Sequence, residues 1–204
     1  MLFRSRSGLI DGRRLEELVR THVREPRIED LPTPFRAVAT DLTTAQEVVF
    51  DQGDVALAVR ASVSVPGLFT PVHVDGRTLV DGGLLNPVPV SVTRAMGADW
   101  VIAVDINPAI EGARAYNADN LLGVLVSTIA VTEVAITRMR LADEPPDLLI
   151  RPQVGHVKFL DFTRSKETVQ AGYDATHEAL AALVAPGGVL ARVAARRPPT
   201  SSAA

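Results

Sequence analysis

Apolar positions recur at helical spacing in three long segments, residues 11–23, 120–141 and 164–183, and in two short ones, 54–62 and 90–96. This periodicity predicts five helices with one apolar face each. The first half of the helix at 120–141 carries no charge. We therefore expect that half to be buried in the core, the usual place for an apolar helix.

Shorter apolar runs lie between these helices. They predict strands at 35–40, 46–50, 71–74, 77–80, 100–105 and 147–151. Asp75-Gly76 is a strong two-residue turn signal, so 71–74 and 77–80 should form a hairpin. The run at 100–105 is almost continuously apolar, as strands buried on both faces are. Because strands alternate with helices, we predict an α/β fold with a mostly parallel sheet flanked by helices.

Composition narrows the classes of function. The chain has 204 residues, 47% of them apolar and 22% charged, which suits one domain with a real core. A net charge of -3 gives no general attraction to nucleic acid. The absence of cysteine excludes disulfides and thiolate chemistry, and the four histidines lack metal-ligand spacing. With no nucleotide-binding loop either, we expect no metal, no cofactor and no nucleic-acid partner.

The termini and the longest apolar run bear on location. Residues 1–8 contain basic side chains but no apolar core long enough for a secretory signal. The uncharged run at 121–132 is shorter than the about 20 residues that span a bilayer. We expect a cytoplasmic protein without a transmembrane segment, and leave contact with a membrane surface open. Residues 186–204 should form a flexible carboxy-terminal tail.

One stretch carries candidate chemistry. Residues 79–89, LVDGGLLNPVP, place the lone carboxylate of Asp81 after an apolar strand and before Gly82 and Gly83. Glycines let another group approach closely, which is how a fold presents a base or a ligand contact. The same pattern also suits a tight turn that Asp81 caps. Both interpretations remain open on these residues alone.

Several blocks of sequence resemble a known family in the right order. They are PFRAVATDL (34–42), VRASVSVPGLF (59–69), VDGGLLNPVPV (80–90), GADWVIAVD (97–105) and IRPQVGH (150–156). Together they resemble the patatin-like phospholipases, particularly the bacterial ones. The resemblance extends from about residue 8 to 183. It implies that residues 1–185 form a partial patatin-like domain.

The resemblance implies a serine acyl hydrolase that uses a Ser-Asp dyad without histidine. Asp81 would be the proton acceptor, with Gly82 and Gly83 as the motif glycines. The substrate would be a fatty acyl ester such as a phospholipid, and no cofactor would be needed. A glycine-rich loop would hold the oxyanion of the tetrahedral intermediate.

The nucleophile half of that pattern is absent. The family's G-x-S-x-G turn and the glycine-rich loop before it do not occur in these 204 residues, so no serine here inherits the nucleophile role. We expect the amino-terminal strands and the nucleophile elbow to be missing, and the chain to be inactive alone as a truncated fragment. A complete, non-catalytic lipid-binding or interaction module and one half of a split enzyme are the alternatives.

Other polar residues attract weaker interpretations. Ser62 and Ser64 are candidate nucleophiles by residue type, but the resemblance implies that they are structural residues near the end of a packed helix. His156 is expected to make a loop hydrogen bond rather than to act in catalysis. Asp105, after the strand at 100–105, is either a cap or a site residue.

Overall fold

A computed structural model describes residues 8–24, 26–107, 120–157 and 161–185. Its strands are β1 (Gly8–Ile10), β2 (Ala37–Asp41), β3 (Gln46–Phe50), β4 (Gly67–Phe69), β5 (Val72–Val74), β6 (Arg77–Asp81), β7 (Ile102–Val104) and β8 (Leu148–Ile150). Its helices are α1 (Arg13–His22), α2 (Val55–Ser62), α3 (Val90–Ala95), α4 (Leu121–Asp143) and α5 (Ser165–Val184). The predicted helices and strands are confirmed with shifted ends, while β1 and β4 were not predicted. The expected tail, residues 186–204, lies outside the described residues.

The largest sheet in the described ranges has four strands in the order β3-β2-β6-β5, and every neighbouring pair is antiparallel. Two hairpins build it. In the β5-β6 hairpin, Asp75 and Gly76 both adopt positive φ, 49° and 74°, as the predicted turn requires. In the β2-β3 hairpin, the Asp41 carboxylate accepts hydrogen bonds from the Thr43 N–H and the Thr44 hydroxyl.

The prediction of a mostly parallel sheet is therefore wrong for the sheet that carries Asp81. Parallel pairing occurs in two separate two-stranded pairs, β1 with β4 and β7 with β8. The physical reason is that tight turns join β2 to β3 and β5 to β6, and a tight turn can connect only antiparallel neighbours. The fold class, a mixture of helices and sheets, stands.

Helix α2 packs on this antiparallel sheet. Asp54 caps it, with Oδ1 accepting a hydrogen bond from the Leu57 N–H at 2.8 Å. Ala58 and Ala61, which face the sheet, are fully buried. Ala61 belongs to one apolar cluster with Ala39 of β2 and Leu79 of β6. This contact holds α2 against the two central strands.

Two apolar segments are less covered than their sequences predicted. Ile102 and Val104 of β7 are about half exposed, so burial of this strand on both faces is wrong for the described structure. In α4, Leu121 is 78% exposed, and the buried residues, Val134 and Thr137, lie in the second half. Apolar composition predicted burial, but none of the described elements covers these faces.

Helix α4 also meets the length and composition criteria for a membrane-spanning helix. Its 23 residues are long and apolar enough to cross a membrane by length and composition alone, a test that core helices of soluble proteins also pass. The uncharged run at 121–132 is shorter than a membrane span, but it is only the first part of this longer helix. Its second half packs into the protein through Val134 and Thr137.

We predict that the 204-residue chain self-associates through the exposed apolar faces of α4 and β7, since large exposed apolar patches favour association. Sedimentation velocity should show oligomers, and the double substitution Leu121→Lys with Leu125→Lys should shift the distribution toward monomer. Val169→Lys, at an exposed position of α5, is the matched control and should change little. A monodisperse wild-type monomer with a sharp thermal transition would contradict the prediction.

Candidate active site

Asp81 is the last residue of β6 and the cap of a short 3-10 turn, Gly82–Leu84. Its Oδ1 accepts a hydrogen bond from the Gly83 N–H at 2.7 Å. Its backbone N–H donates to the Ser64 carbonyl at 3.1 Å, and its own carbonyl accepts from the Thr40 hydroxyl at 2.9 Å. Strand β2, the segment after α2 and the turn therefore all hold Asp81 in place. The capping interpretation is confirmed, and it leaves the second carboxylate oxygen for other contacts.

Asp81 lines a cavity of about 400 Å³. The cavity lies among β2, α2, the turn after β6 and the first part of α4, and most of its wall is apolar. The apolar lining includes Val38, Val63, Val65, Val104, Val126 and Ile129. A carboxylate at the wall of an apolar cavity of this size is the usual arrangement of a small-molecule site.

Gly82 is required by a close backbone contact, and Gly83 lies against two carboxyl groups. A Cβ at Gly82 would lie 2.3 Å from the Val38 carbonyl oxygen, inside the distance that real atoms tolerate. A Cβ at Gly83 would lie 2.6 Å from Oε1 of Glu133 and 3.1 Å from Oδ1 of Asp81. The sequence predicted that the glycines let a group approach Asp81. The approaching group is the carboxyl of Glu133.

Burial raises the pKa of both carboxyl groups, and Asp81 acts further on Glu133. Burial raises the pKa of Asp81 from 3.8 to about 6, and the hydrogen bond from Gly83 opposes that rise. Burial also raises the pKa of Glu133 from 4.5 to about 7, and the charge of Asp81 adds to the effect. A base that ionises near neutral pH suits proton transfer in water.

Sequence reasoning missed Glu133 as a site residue. It is the first charged residue after the uncharged run at 121–132, and that position was the available signal. Only the fold brings α4 next to the turn after β6.

Two of the other sequence candidates, Ser64 and His156, make structural hydrogen bonds. Ser64 is fully buried, hydrogen-bonds through its hydroxyl to the Arg60 guanidinium and carbonyl, and is held away from any nucleophilic role. Ser62 does line the cavity. His156 pairs with Glu167 at 2.6 Å, which confirms the expected loop hydrogen bond.

Asp105 has a structural role in a local turn and an ion pair. It is buried, and its carboxylate accepts hydrogen bonds from the Asn107 N–H and the Arg151 guanidinium. Within the described part of the chain, no group of three His, Asp or Glu side chains could hold a metal ion.

Comparison with known proteins adds to this geometry. A sequence model of the family described as patatin-like phospholipase matches residues 1–94. An uncharacterized NTE family protein of Mycobacterium tuberculosis is 38% identical over 139 residues, which cover 66% of this chain and 39% of that protein. A second such protein of the same organism is 32% identical over 196 residues, covering 86% of this chain and 34% of the relative.

A mammalian protein is similar over most of the chain as well. Patatin-like phospholipase domain-containing protein 7 of Mus musculus is 28% identical over 190 residues, covering 82% of this chain and 14% of that protein. The chain spans 39% or less of the length of these relatives.

We predict that Gly82→Ala destabilises the protein by about 1–3 kcal/mol or more, because the new methyl group overlaps the Val38 carbonyl. Gly172→Ala is the matched control. It lies in α5 with open space around it, and should change the free energy of unfolding by less than about 1 kcal/mol, in the stabilising direction. Urea denaturation of the two variants measures both values, and equal effects would refute the close contact at Gly82.

Asp81→Asn should stabilise the protein in a pH-dependent way. The raised pKa of Asp81 means that ionisation is unfavourable in the folded state, so the stability that Asp81 contributes falls as pH rises from about 4 to about 6. Asn cannot ionise and can still accept the Gly83 hydrogen bond. At pH about 7 we expect a gain of about 1–3 kcal/mol, and no gain at pH about 3.

Urea unfolding at the two pH values measures this difference. Asp99→Asn, at an exposed carboxylate, is the control and should give no comparable gain. A gain that is the same at both pH values would contradict the raised pKa of Asp81.

Proposed function

The chain belongs to the patatin-like phospholipase family, and we propose that it contributes the base of a serine acyl hydrolase that acts on lipid or fatty acyl esters. The observation that carries the proposal is the position of Asp81. It begins an Asp-Gly-Gly sequence that resembles the family's motif, at the wall of an apolar cavity, with a pKa raised to about 6 by burial. Asp81 is therefore ionised at neutral pH and still basic enough to take a proton.

In the proposed reaction, Asp81 accepts the proton of a serine hydroxyl as the serine oxygen attacks the ester carbonyl. The tetrahedral intermediate then expels the alcohol, which receives the proton from Asp81. Water, activated by the same carboxylate, hydrolyses the acyl-serine and releases the fatty acid. Gly82 and Gly83 keep side chains out of the volume in front of the base.

The serine must come from residues other than these 204. No serine in the sequence has the G-x-S-x-G flanks of the family's nucleophile. We propose that the nucleophile and its oxyanion loop lie in a further part of the same protein, which the limited coverage of the relatives supports. The chain alone would then be inactive.

The cavity suggests the substrate class. Its apolar wall continues toward the exposed first half of α4, through Val126 and Ile129. An acyl chain would bury apolar surface there at about 25 cal/mol per Å². We propose that exposed apolar residues of α4 contact the lipid surface from which the substrate is drawn.

The test uses a longer protein that includes the proposed nucleophile region. Translating the DNA before the first codon shows whether a G-x-S-x-G region is encoded in frame, and the longer protein should then hydrolyse a short-chain nitrophenyl ester. Asp81→Asn should lower that rate by about 10²–10⁴-fold, the usual contribution of a general base. Asp99→Asn should leave it unchanged.

A fluorophosphonate probe separates the alternatives. The 204-residue chain should stay unlabelled, and the longer protein should be labelled at its added serine. Labelling of the chain alone that Ser62→Ala removes would overturn the proposal, because Ser62 lines the cavity. Labelling only after a separate polypeptide is added would favour the split enzyme, and the lack of any upstream coding or activity would favour the non-catalytic module.

A further inference from the structure

We propose that Glu133 is the acid partner of Asp81, a positioning residue that keeps a proton inside the cavity while Asp81 is ionised. The inference deepens the proposed function and rests on it only for the role given to Asp81. The pairing of the two carboxyl groups stands on the geometry of the cavity.

Contacts around Gly83 place the two groups together. The position of a Cβ at Gly83 is 2.6 Å from Oε1 of Glu133 and 3.1 Å from Oδ1 of Asp81, so both oxygens face the same small volume. The Gly83 N–H already binds Oδ1 of Asp81 at 2.7 Å, which fixes that carboxylate on the turn. Glu133 reaches the same turn from α4, and both side chains line the cavity. A side chain at this position would therefore contact both carboxyl groups.

The charges around the pair come from several elements. Strand β6 and its turn contribute Asp81, α4 contributes Glu133, and the segment before β2 contributes Arg36, the one basic side chain that lines the described cavity. The lining residues from α2 and from the segment after β7 are uncharged. Neither Asp81 nor Glu133 forms an ion pair within the described ranges. Two carboxylates in this setting would repel each other with little compensation, so the pair resists its second ionisation.

The order of ionisation gives the two residues different roles. The pKa of Asp81 is raised to about 6 and that of Glu133 to about 7. The Gly83 N–H stabilises the ionised form of Asp81, and the charge of Asp81 then holds the proton on Glu133, so the first proton leaves Asp81. Between these values Asp81 is the base and Glu133 is a neutral carboxylic acid. Ionised Glu133 would oppose the negative charge that develops on the ester oxygen during attack. Hydrolysis should therefore rise as Asp81 ionises and fall as Glu133 ionises.

Infrared titration of the 204-residue chain tests the pair without hydrolysis. Free carboxyl groups with ordinary pKa values near 4 are ionised at pH about 6.5, so a protonated-carboxyl band that persists there is diagnostic. Protein made with carboxyl-labelled glutamate assigns the band to Glu rather than Asp. The method does not depend on molecular size, so self-association does not prevent it.

We expect the wild type to show one protonated-glutamate band at this pH, and Glu133→Gln to lose it. Glu144→Gln, at the exposed end of α4, is the matched control and should keep it. Asp81→Asn should keep the band and move its midpoint to lower pH, because the charge that holds the proton on Glu133 is gone. Glu133→Gln should unfold no more readily than the wild type at neutral pH, since it removes a group whose ionisation is unfavourable.

Three results would overturn the inference. They are the absence of the band in the wild type, its persistence in Glu133→Gln, and an unchanged midpoint in Asp81→Asn. In the longer, active protein, Glu133→Gln should abolish the fall of the rate above pH about 7, while a structural role would lower the rate equally at every pH. A band that behaves as expected in a protein without esterase activity would refute the proposed function and leave the pair intact.

Discussion

The approach of Gly82 to the carbonyl of Val38 is the contact on which the site depends. At this point the chain leaves β6 and turns across the edge of β2 with no room for a side chain. The turn then presents the N–H of Gly83 to the carboxylate of Asp81, while Thr40 and Ser64 hold the backbone of Asp81 from two sides. A rigid scaffold of this kind fixes the position of a functional group more tightly than a flexible loop can.

What the sequence could predict depended on how local the determining contacts are. Asp75-Gly76 determines its own turn, and Asp54 caps its own helix, so the hairpin and α2 followed from a few neighbouring residues. The direction of pairing in the large sheet was missed because alternation of helices and strands was weighed above the two turns. The exposure of Ile102 and Leu121 could not be read from composition, because burial depends on which elements cover a face.

The residues of the candidate site also differ in whether local sequence or tertiary packing identifies them. Asp81 and its glycines could be identified from the sequence because they are consecutive residues that form a recognisable motif. Glu133 was not, because it lies far along the chain and reaches the site only through the packing of α4. The apolar run before Glu133 made that helix look like a core element, and its one partly buried carboxyl lies where the helix meets the cavity.

The two hairpins that form the sheet around Asp81 have a consequence for the order of folding. Their contacts join residues close in sequence, and such contacts form sooner than those that close long loops. The β5-β6 hairpin that ends in Asp81 can therefore form early, whereas the pairing of β6 with β2 and the docking of α4 both join residues far apart in the sequence. During synthesis the hairpin would form first, and the burial that raises the pKa of Asp81 would be complete only after β2 and α4 have docked.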